Sequence, residues 1–315
     1  MLLRGFEICG RHGRWILPLG LVGGFLLPWA AEPFSRLIGL CIWLLLFLSV
    51  TRLASSGVLN TATSADLPTD RLPLLILRVL IAQLAFPLLV FAVATLIGLP
   101  DIWRLAATLV AAASPISGSP NLVLLLKGDG ALALRWLVVG TILLPLTCLP
   151  VLLTVFPGQP IEGLLLPSLK LLSLIVSATI AGIVCTRLAD NRQISLSPAA
   201  LDGASALTLA LMVIGLMSAL HAPDTTMHDF LIALAAAVVI NAGFQLLGAS
   251  TASALKHPPM RIIGTGVIYG NRNIALYLTA LPASFTEPLL LFIACYQIPM
   301  YLTPLLGDIF YRRLE

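Results

Sequence analysis

Arg272 stands in a stretch that is otherwise apolar or small: Gly264-Thr265-Gly266-Val267-Ile268-Tyr269-Gly270-Asn271-Arg272-Asn273-Ile274-Ala275-Leu276. No acidic residue lies within several positions of it, so an ion pair along one helix is not available. A guanidinium in apolar surroundings is expensive, and such a group is by default functional or paired. Three roles follow from its chemistry. Its planar fork of N–H donors matches a substrate carboxylate. Its permanent charge can replace a bound metal ion. Its donors can cap the carbonyls of an interrupted helix, or its long stem can snorkel toward water.

A second segment has the same character. Ala113-Ser114-Pro115-Ile116-Ser117-Gly118-Ser119-Pro120-Asn121 places two prolines, a glycine and three serines inside an apolar run. Such a segment makes a poor continuous helix. Gly118 and Asn121 share a G-x-x-N pattern with Gly270 and Asn273, offset by 152 positions (270 − 118). A broken helix at membrane depth is tolerated where it is buried in protein or lines a wet cavity. A half-helix N-terminus there favours an anionic group. The candidate binding residues are therefore Ser117, Gly118, Ser119, Pro120, Asn121, Tyr269, Gly270, Asn271, Arg272 and Asn273. Gln83, Asn241 and Gln245 add polar side chains within apolar runs. They either line the same cavity or make interhelical hydrogen bonds. Arg78 and Arg135 read as snorkelling cations. Asp202 reads as a helix-start acid or a proton carrier.

The elements that must position these residues are membrane helices. The chain is 59% hydrophobic and 10% charged, with mean hydropathy +1.02. Soluble domains carry roughly 25% charged residues, so the bilayer is the main solvent. Spans of about 20 apolar residues are predicted over 14–30, 35–53, 72–98, 103–126, 130–156, 161–188, 200–221, 227–255, 259–283 and 287–310. The fourth and ninth contain the two breaks. A polar connection runs over 54–71. The first apolar run follows Arg4, Arg11 and Arg14 as in a signal peptide, but its length favours a retained helix.

Basic residues orient these spans. With a cytoplasmic N-terminus, Arg4, Arg11, Arg14, Arg52, Arg71, Lys127, Arg187, Arg192, Lys256, Arg261, Arg312 and Arg313 fall inside, against Arg36 and Arg104 outside. This bias predicts both termini in the cytoplasm and an even number of spans. The expected fold is an all-α polytopic membrane protein of about ten transmembrane helices. It is arranged as a 5+5 inverted repeat, 14–156 and 161–310, in a single membrane domain over 1–315, a common transporter plan.

Cys9, Cys41, Cys148, Cys185 and Cys295 have no CxxC spacing, and the four histidines are scattered. Neither a metal site nor a cofactor is expected, and no catalytic residue is assigned. Motifs of the H-E-x-x-H or G-x-S-x-G type are absent, which argues against an intramembrane enzyme. The net charge of +4 is spread along span ends, so no nucleic-acid partner is expected.

Ser117-Gly118-Ser119-Pro120-Asn121-Leu122, through Lys127-Gly128-Asp129-Gly130-Ala131-Leu132-Ala133 and on to Pro145, resembles the fourth-helix crossover and fifth helix of the bile acid/sodium symporter family. Gly270-Asn271-Arg272-Asn273-Ile274-Ala275-Leu276 is similar to that family's ninth-helix segment. The resemblance implies a core of helices over 72–156 and 227–310 and a panel over 14–53 and 161–221. It also implies crossed, discontinuous helices four and nine, substrate between core and panel, and organic anions as cargo. The chain departs from the family at its sodium ligands. The helix-nine glutamate falls on Ile268 and the glutamine on Arg272. The helix-four serine is Pro120, and the helix-five ligands fall on Leu134 and Val138, while Asn121 and Asn273 remain.

The expectation is thus a secondary transporter of a small organic anion, working by alternating access and not sodium-coupled through the usual sites. Asn121 and Asn273 would anchor backbone and substrate, and Arg272 would supply positive potential. The partners expected are that anion, the lipid bilayer and a proton or sodium as coupling ion. Alternatives are a sodium-coupled symporter of the same family, a channel or sensor, and an intramembrane enzyme.

Overall fold

Long apolar runs fold as helices because lipid offers the backbone no other hydrogen-bond partner. The computed structural model describes residues 2–55, 72–159, 161–194, 196–223 and 225–311. From residue 56 on, the polar connection expected over 54–71 lies outside them. Among the described residues every regular element is helical. In chain order these are α1 (Leu2–Arg11), α2 (Gly13–Leu26), α3 (Pro28–Ser35), α4 (Ile38–Ser55), α5 (Leu72–Leu96), α6 (Asp101–Ala112), α7 (Ser119–Leu125) and α8 (Gly130–Val155). There follow α9 (Ile161–Asn191), α10 (Pro198–Leu216), α11 (Met227–Ala254), α12 (Pro259–Gly270), α13 (Leu276–Ala280), α14 (Ala283–Thr286) and α15 (Leu290–Tyr311).

Six helices among the described residues are long and apolar enough to cross a membrane: Leu72–Leu96, Gly130–Val155, Glu162–Asn191, Pro198–His221, Met227–Ala254 and Ala283–Gly307. The protein is an all-α membrane protein. The first predicted span, 14–30, is not one straight helix. It breaks at Leu27, and α3 leaves α2 at 108°. Pro28 sits at the first position of α3, where its fixed φ starts a helix well but cannot continue the preceding hydrogen-bond ladder. The pair counts as a seventh span if the two halves cross together.

The chain divides into two compact units. The first comprises Met1–Arg71 and Leu172–Pro223. In it α10 packs against α1, α2, α3 and α4. Glycines permit this packing. A Cβ on Gly203 of α10 would meet the carbonyl oxygen of Phe6 and lie 2.7 Å from the nitrogen of Gly10. A Cβ on Gly20 would lie 2.9 Å from Ala210. Close backbone approach between small residues is the main source of helix association where apolar burial gains nothing over lipid. Asp202 is ion-paired with Arg52 at 3.1 Å, so its carboxylate is engaged by a fixed cation on α4.

The second unit comprises Leu72–Leu171 and Asp224–Glu315. Its two halves follow one order: a long helix, a half-helix, a break, a shorter half-helix and a long helix. These are α5, α6, α7 and α8 in one half and α11, α12, α13 and α15 in the other, with the short α14 leading into α15. Leu75, Val79, Leu122, Val123, Trp136, Ile263, Val267 and Ile268 form a shared apolar cluster. The turn after α7 docks on the start of α12. Asp129 accepts from the Leu132 N–H at the head of α8 (2.9 Å), its own N–H donates to the Met260 carbonyl (2.9 Å), and its carboxylate lies 3.6 Å from Arg261.

Gly203→Ala is expected to push α1 off α10 and destabilise the first unit by about 1–3 kcal/mol. Gly243→Ala, whose Cβ would meet nothing within 4 Å, should keep or raise stability, by up to about 1 kcal/mol, since alanine is the better helix former. Thermal unfolding of both purified variants in detergent checks the contrast.

Candidate functional site

Two half-helices end facing one another. Pro115 disfavours helical geometry at Ser114, and α6 stops at Ala112 with Ala113 already extended (ψ 154°). α12 stops at Gly270, and Asn271 leaves the helix (φ −103°, ψ 83°). The two breaks then pair as antiparallel backbone, with Pro115 opposite Arg272. The Ile116 N–H donates to the Asn271 carbonyl (3.0 Å) and the Asn273 N–H to the Ser114 carbonyl (2.8 Å). This short ladder satisfies backbone groups that neither helix can serve.

Arg272 has no exposed surface. Its Nη1 donates to the carbonyl of Ala113, the C-cap of α6, at 2.9 Å. Its Nε donates to the carbonyl of Tyr269, in the last turn of α12, at 3.2 Å. The guanidinium lies 5.1 Å from the centre of the Tyr269 ring, a cation–π contact. That ring is set in turn by Phe86 at 5.7 Å and Trp136 at 5.9 Å. Each helix C-terminus carries roughly half a negative charge, so two of them offset about one guanidinium. Among the described residues no carboxylate lies within ion-pair distance of Arg272. Full burial rules out snorkelling, and Nη2 has no hydrogen-bond partner among the described residues.

The end of α12 is held from its other side by α11 and α15. The Gly270 carbonyl accepts from Asn241 Nδ2 (2.6 Å) and from the Tyr296 hydroxyl. Asn271 Oδ1 accepts from Asn241 Nδ2 (3.3 Å) and the Thr303 hydroxyl (3.2 Å). Gln245 Nε2 donates to Asn241 Oδ1 (2.7 Å) and Thr303 Oγ1 (3.2 Å), and Gln245 Oε1 accepts from the Tyr311 hydroxyl (3.3 Å). Of the two sequence alternatives for Asn241 and Gln245, the interhelical hydrogen bond is the one they make.

Gln83 behaves differently. It lies in a π-helical turn of α5, Ile81–Ala85, and is 1% exposed. Neither its Nε2 nor its Oε1 finds a partner among the described residues. A Cβ on Gly140 would lie 2.8 Å from Gln83 Nε2 and 3.3 Å from Pro115 Cδ, so the amide sits against α8 and the first break. Gln83 and Asn241 occupy the same register of the two halves. They are separated by 158 positions (241 − 83), as are the ends of the two half-helices (270 − 112).

That register corrects the one read from the G-x-x-N pattern. Gly118 caps the start of α7, the second half-helix, whereas Gly270 is the last residue of α12, the first half-helix of its pair. The two motifs lie on opposite sides of their breaks, because the breaks differ in length and proline content. Asn121 is consequently exposed, two residues into α7, and makes no anchoring contact at the crossing among the described residues. Asn273 joins the crossing through its backbone N–H. Ser119 is buried with its hydroxyl unpartnered among the described residues, while Ser117, Gly118 and Pro120 are half-buried around the entry to α7. Ser114, Tyr296 and Thr303 also touch the crossing, Thr141 follows Gly140 beside it, and none of the four was among the sequence candidates. A hydroxyl beside a glycine or proline in an aliphatic span was the signal available for Ser114 and Thr141.

Arg272→Met is expected to cost at least about 3 kcal/mol, since it leaves two buried carbonyl ends without their cation. Arg272→Lys should recover part of that loss, because one ammonium keeps the charge but not the fork. Asn241→Leu, which removes one of the two donors to the Gly270 carbonyl, should cost about 1–3 kcal/mol. Unfolding midpoints of the three variants in one detergent give the order.

No protein-family model matches this chain, and no curated protein matches it.

Proposed function

We propose that this chain is a secondary transporter that carries a small organic anion by alternating access around the paired breaks of its second unit. The supporting observation is the crossing itself. Two interrupted helices meet through backbone pairing in a buried interior, and a buried guanidinium keeps one nitrogen, Nη2, unpartnered among the described residues. Irregular backbone at membrane depth is the usual place for a transported solute, and an unpaired guanidinium N–H selects an acceptor of negative charge.

In this reading the chain has ten spans in a 5+5 inverted repeat, with both termini in the cytoplasm of a cell-membrane protein. Helices over 72–156 and 227–310 form the core, and those over 14–53 and 161–221 form the panel. Coupling does not use sodium at the crossing. The position of the family's carboxylate ligand is Ile268, wholly buried in the apolar cluster. Arg272, bonded to the Ala113 and Tyr269 carbonyls, puts a covalent cation where a metal ion would need acceptors. A second cation there would meet repulsion in a low-dielectric setting.

Uptake of radiolabelled short carboxylates into proteoliposomes tests this. Uptake is expected to saturate and to agree within about twofold with sodium or potassium outside, since a factor of ten would correspond to about 1.4 kcal/mol of coupling. Arg272→Gln should abolish it while insertion stays normal. Uptake that requires sodium would show that the crossing binds the ion after all.

A further inference from the structure

We propose that Gln83, Ser114 and Thr141 form a polar subsite beside Arg272 that receives the carboxylate of the transported anion, which rests on the transport reading and assigns its binding groups. All three side chains are more than nine-tenths buried. Gln83 Nε2 and Oε1, Ser114 Oγ, Thr141 Oγ1 and Arg272 Nη2 are each without a hydrogen-bond partner among the described residues. Buried polar atoms are otherwise nearly always paired, so this grouping calls for a ligand.

The chain brings the residues that bear these atoms near one another. Gln83 touches the Gly140 position and the Pro115 ring. Thr141 follows Gly140, and Ser114 precedes Pro115. Pro115 pairs with Arg272, whose Nη1 binds the carbonyl of Ala113, the residue before Ser114. The π-turn inserts one extra residue per turn and so re-aims Gln83. Such turns recur at functional sites. Asn241, at the same register of the other half, spends its amide on Gly270, Asn271 and Gln245. The two amides are alike in placement and opposite in use.

The donor set selects the ligand. Gln83 Nε2, the two hydroxyls and Arg272 Nη2 present N–H and O–H groups, which suit the four lone-pair sites of a carboxylate. A cation would find one amide oxygen and two hydroxyls beside a fixed positive charge. Gly140 leaves the space that a methyl group would take from the Gln83 amide.

The test is thermal unfolding of the purified protein titrated with sodium acetate, and in parallel with sodium chloride, at constant ionic strength. A ligand that binds the native state raises the midpoint by mass action. The wild type should shift saturably with acetate, and Q83L, T141V and G140A should bind acetate at least tenfold more weakly. T147V serves as control, because the Thr147 hydroxyl is already bonded to its own helix at Leu143 and Leu144, and it should match the wild type. Without acetate, Q83L should unfold at or above the wild-type temperature, since an unpaired buried amide is replaced by an apolar group of similar shape. A Q83L protein that melts lower than wild type yet keeps the acetate shift overturns the subsite. A shift produced by chloride and not by acetate overturns the carboxylate assignment in favour of a halide. Acetate binding that depends on Gln83, with no uptake of any carboxylate by proteoliposomes, overturns the transport reading and leaves the subsite standing. Uptake with wild-type affinity in Q83L does the reverse.

Discussion

Two helix C-termini cannot face one another in a dry interior without a cation between them. Each presents carbonyls that no following turn can satisfy and a partial negative charge that no water screens. In this protein α6 and α12 end in that way, and Arg272 is the cation. Much else in the second unit follows from that contact. The backbone must leave both helices at once, so Pro115 and Asn271 stand where the ladders stop. The freed N–H groups must find carbonyls, so the breaks pair with each other. The guanidinium must lie flat against something apolar yet polarisable, so Tyr269 sits beneath it with Phe86 and Trp136 behind.

The halves around this contact are built alike and finished differently. On the α11 and α15 side, amides and hydroxyls form a chain from Tyr311 through Gln245 and Asn241 to the Gly270 carbonyl. That chain fixes the end of α12, since most of its amide and hydroxyl groups are engaged and rotating any one of them breaks a neighbour's bond. On the α5 and α8 side, Gln83 and Thr141 make no such bonds among the described residues. One side of the crossing is thereby tied by side-chain hydrogen bonds, while the other keeps polar atoms without partners among the described residues. A pair of identical halves would give both sides one role.

Much of this was legible in the sequence. Two polar segments in apolar runs, one rich in proline and serine and the other in glycine and asparagine, read as interrupted helices, and an arginine without an acidic neighbour must find its compensation elsewhere. The bend at Leu27 was less visible. A single proline at the head of a helix and one inside it look alike when all neighbours are apolar. The repeat register was misread because G-x-x-N occurs on both sides of a break, and four letters do not say whether a glycine ends one half-helix or begins the next. Asn121 was misplaced for the same reason, since two residues of helix carry its side chain to an exposed position. The availability of Gln83 rests on a π-turn, for which the Ile81-Ala82-Gln83-Leu84-Ala85 sequence carries no signal.

A cation tethered to the chain differs from a bound one in what it can do over a cycle. A metal ion at the crossing can enter from one side and leave at the other, and its gradient then drives the substrate. Arg272 stays. In the transport reading, the charge it contributes is the same before and after the substrate passes, so it can pay for burying an anion but cannot supply a gradient. The helix ends hold two of its three nitrogens throughout, which leaves the Nη2 group to interact with the passing anion. A single such contact is too weak to trap a carboxylate by itself, and the neutral donors around Gln83 would then set how tightly the anion is held and how readily it is released.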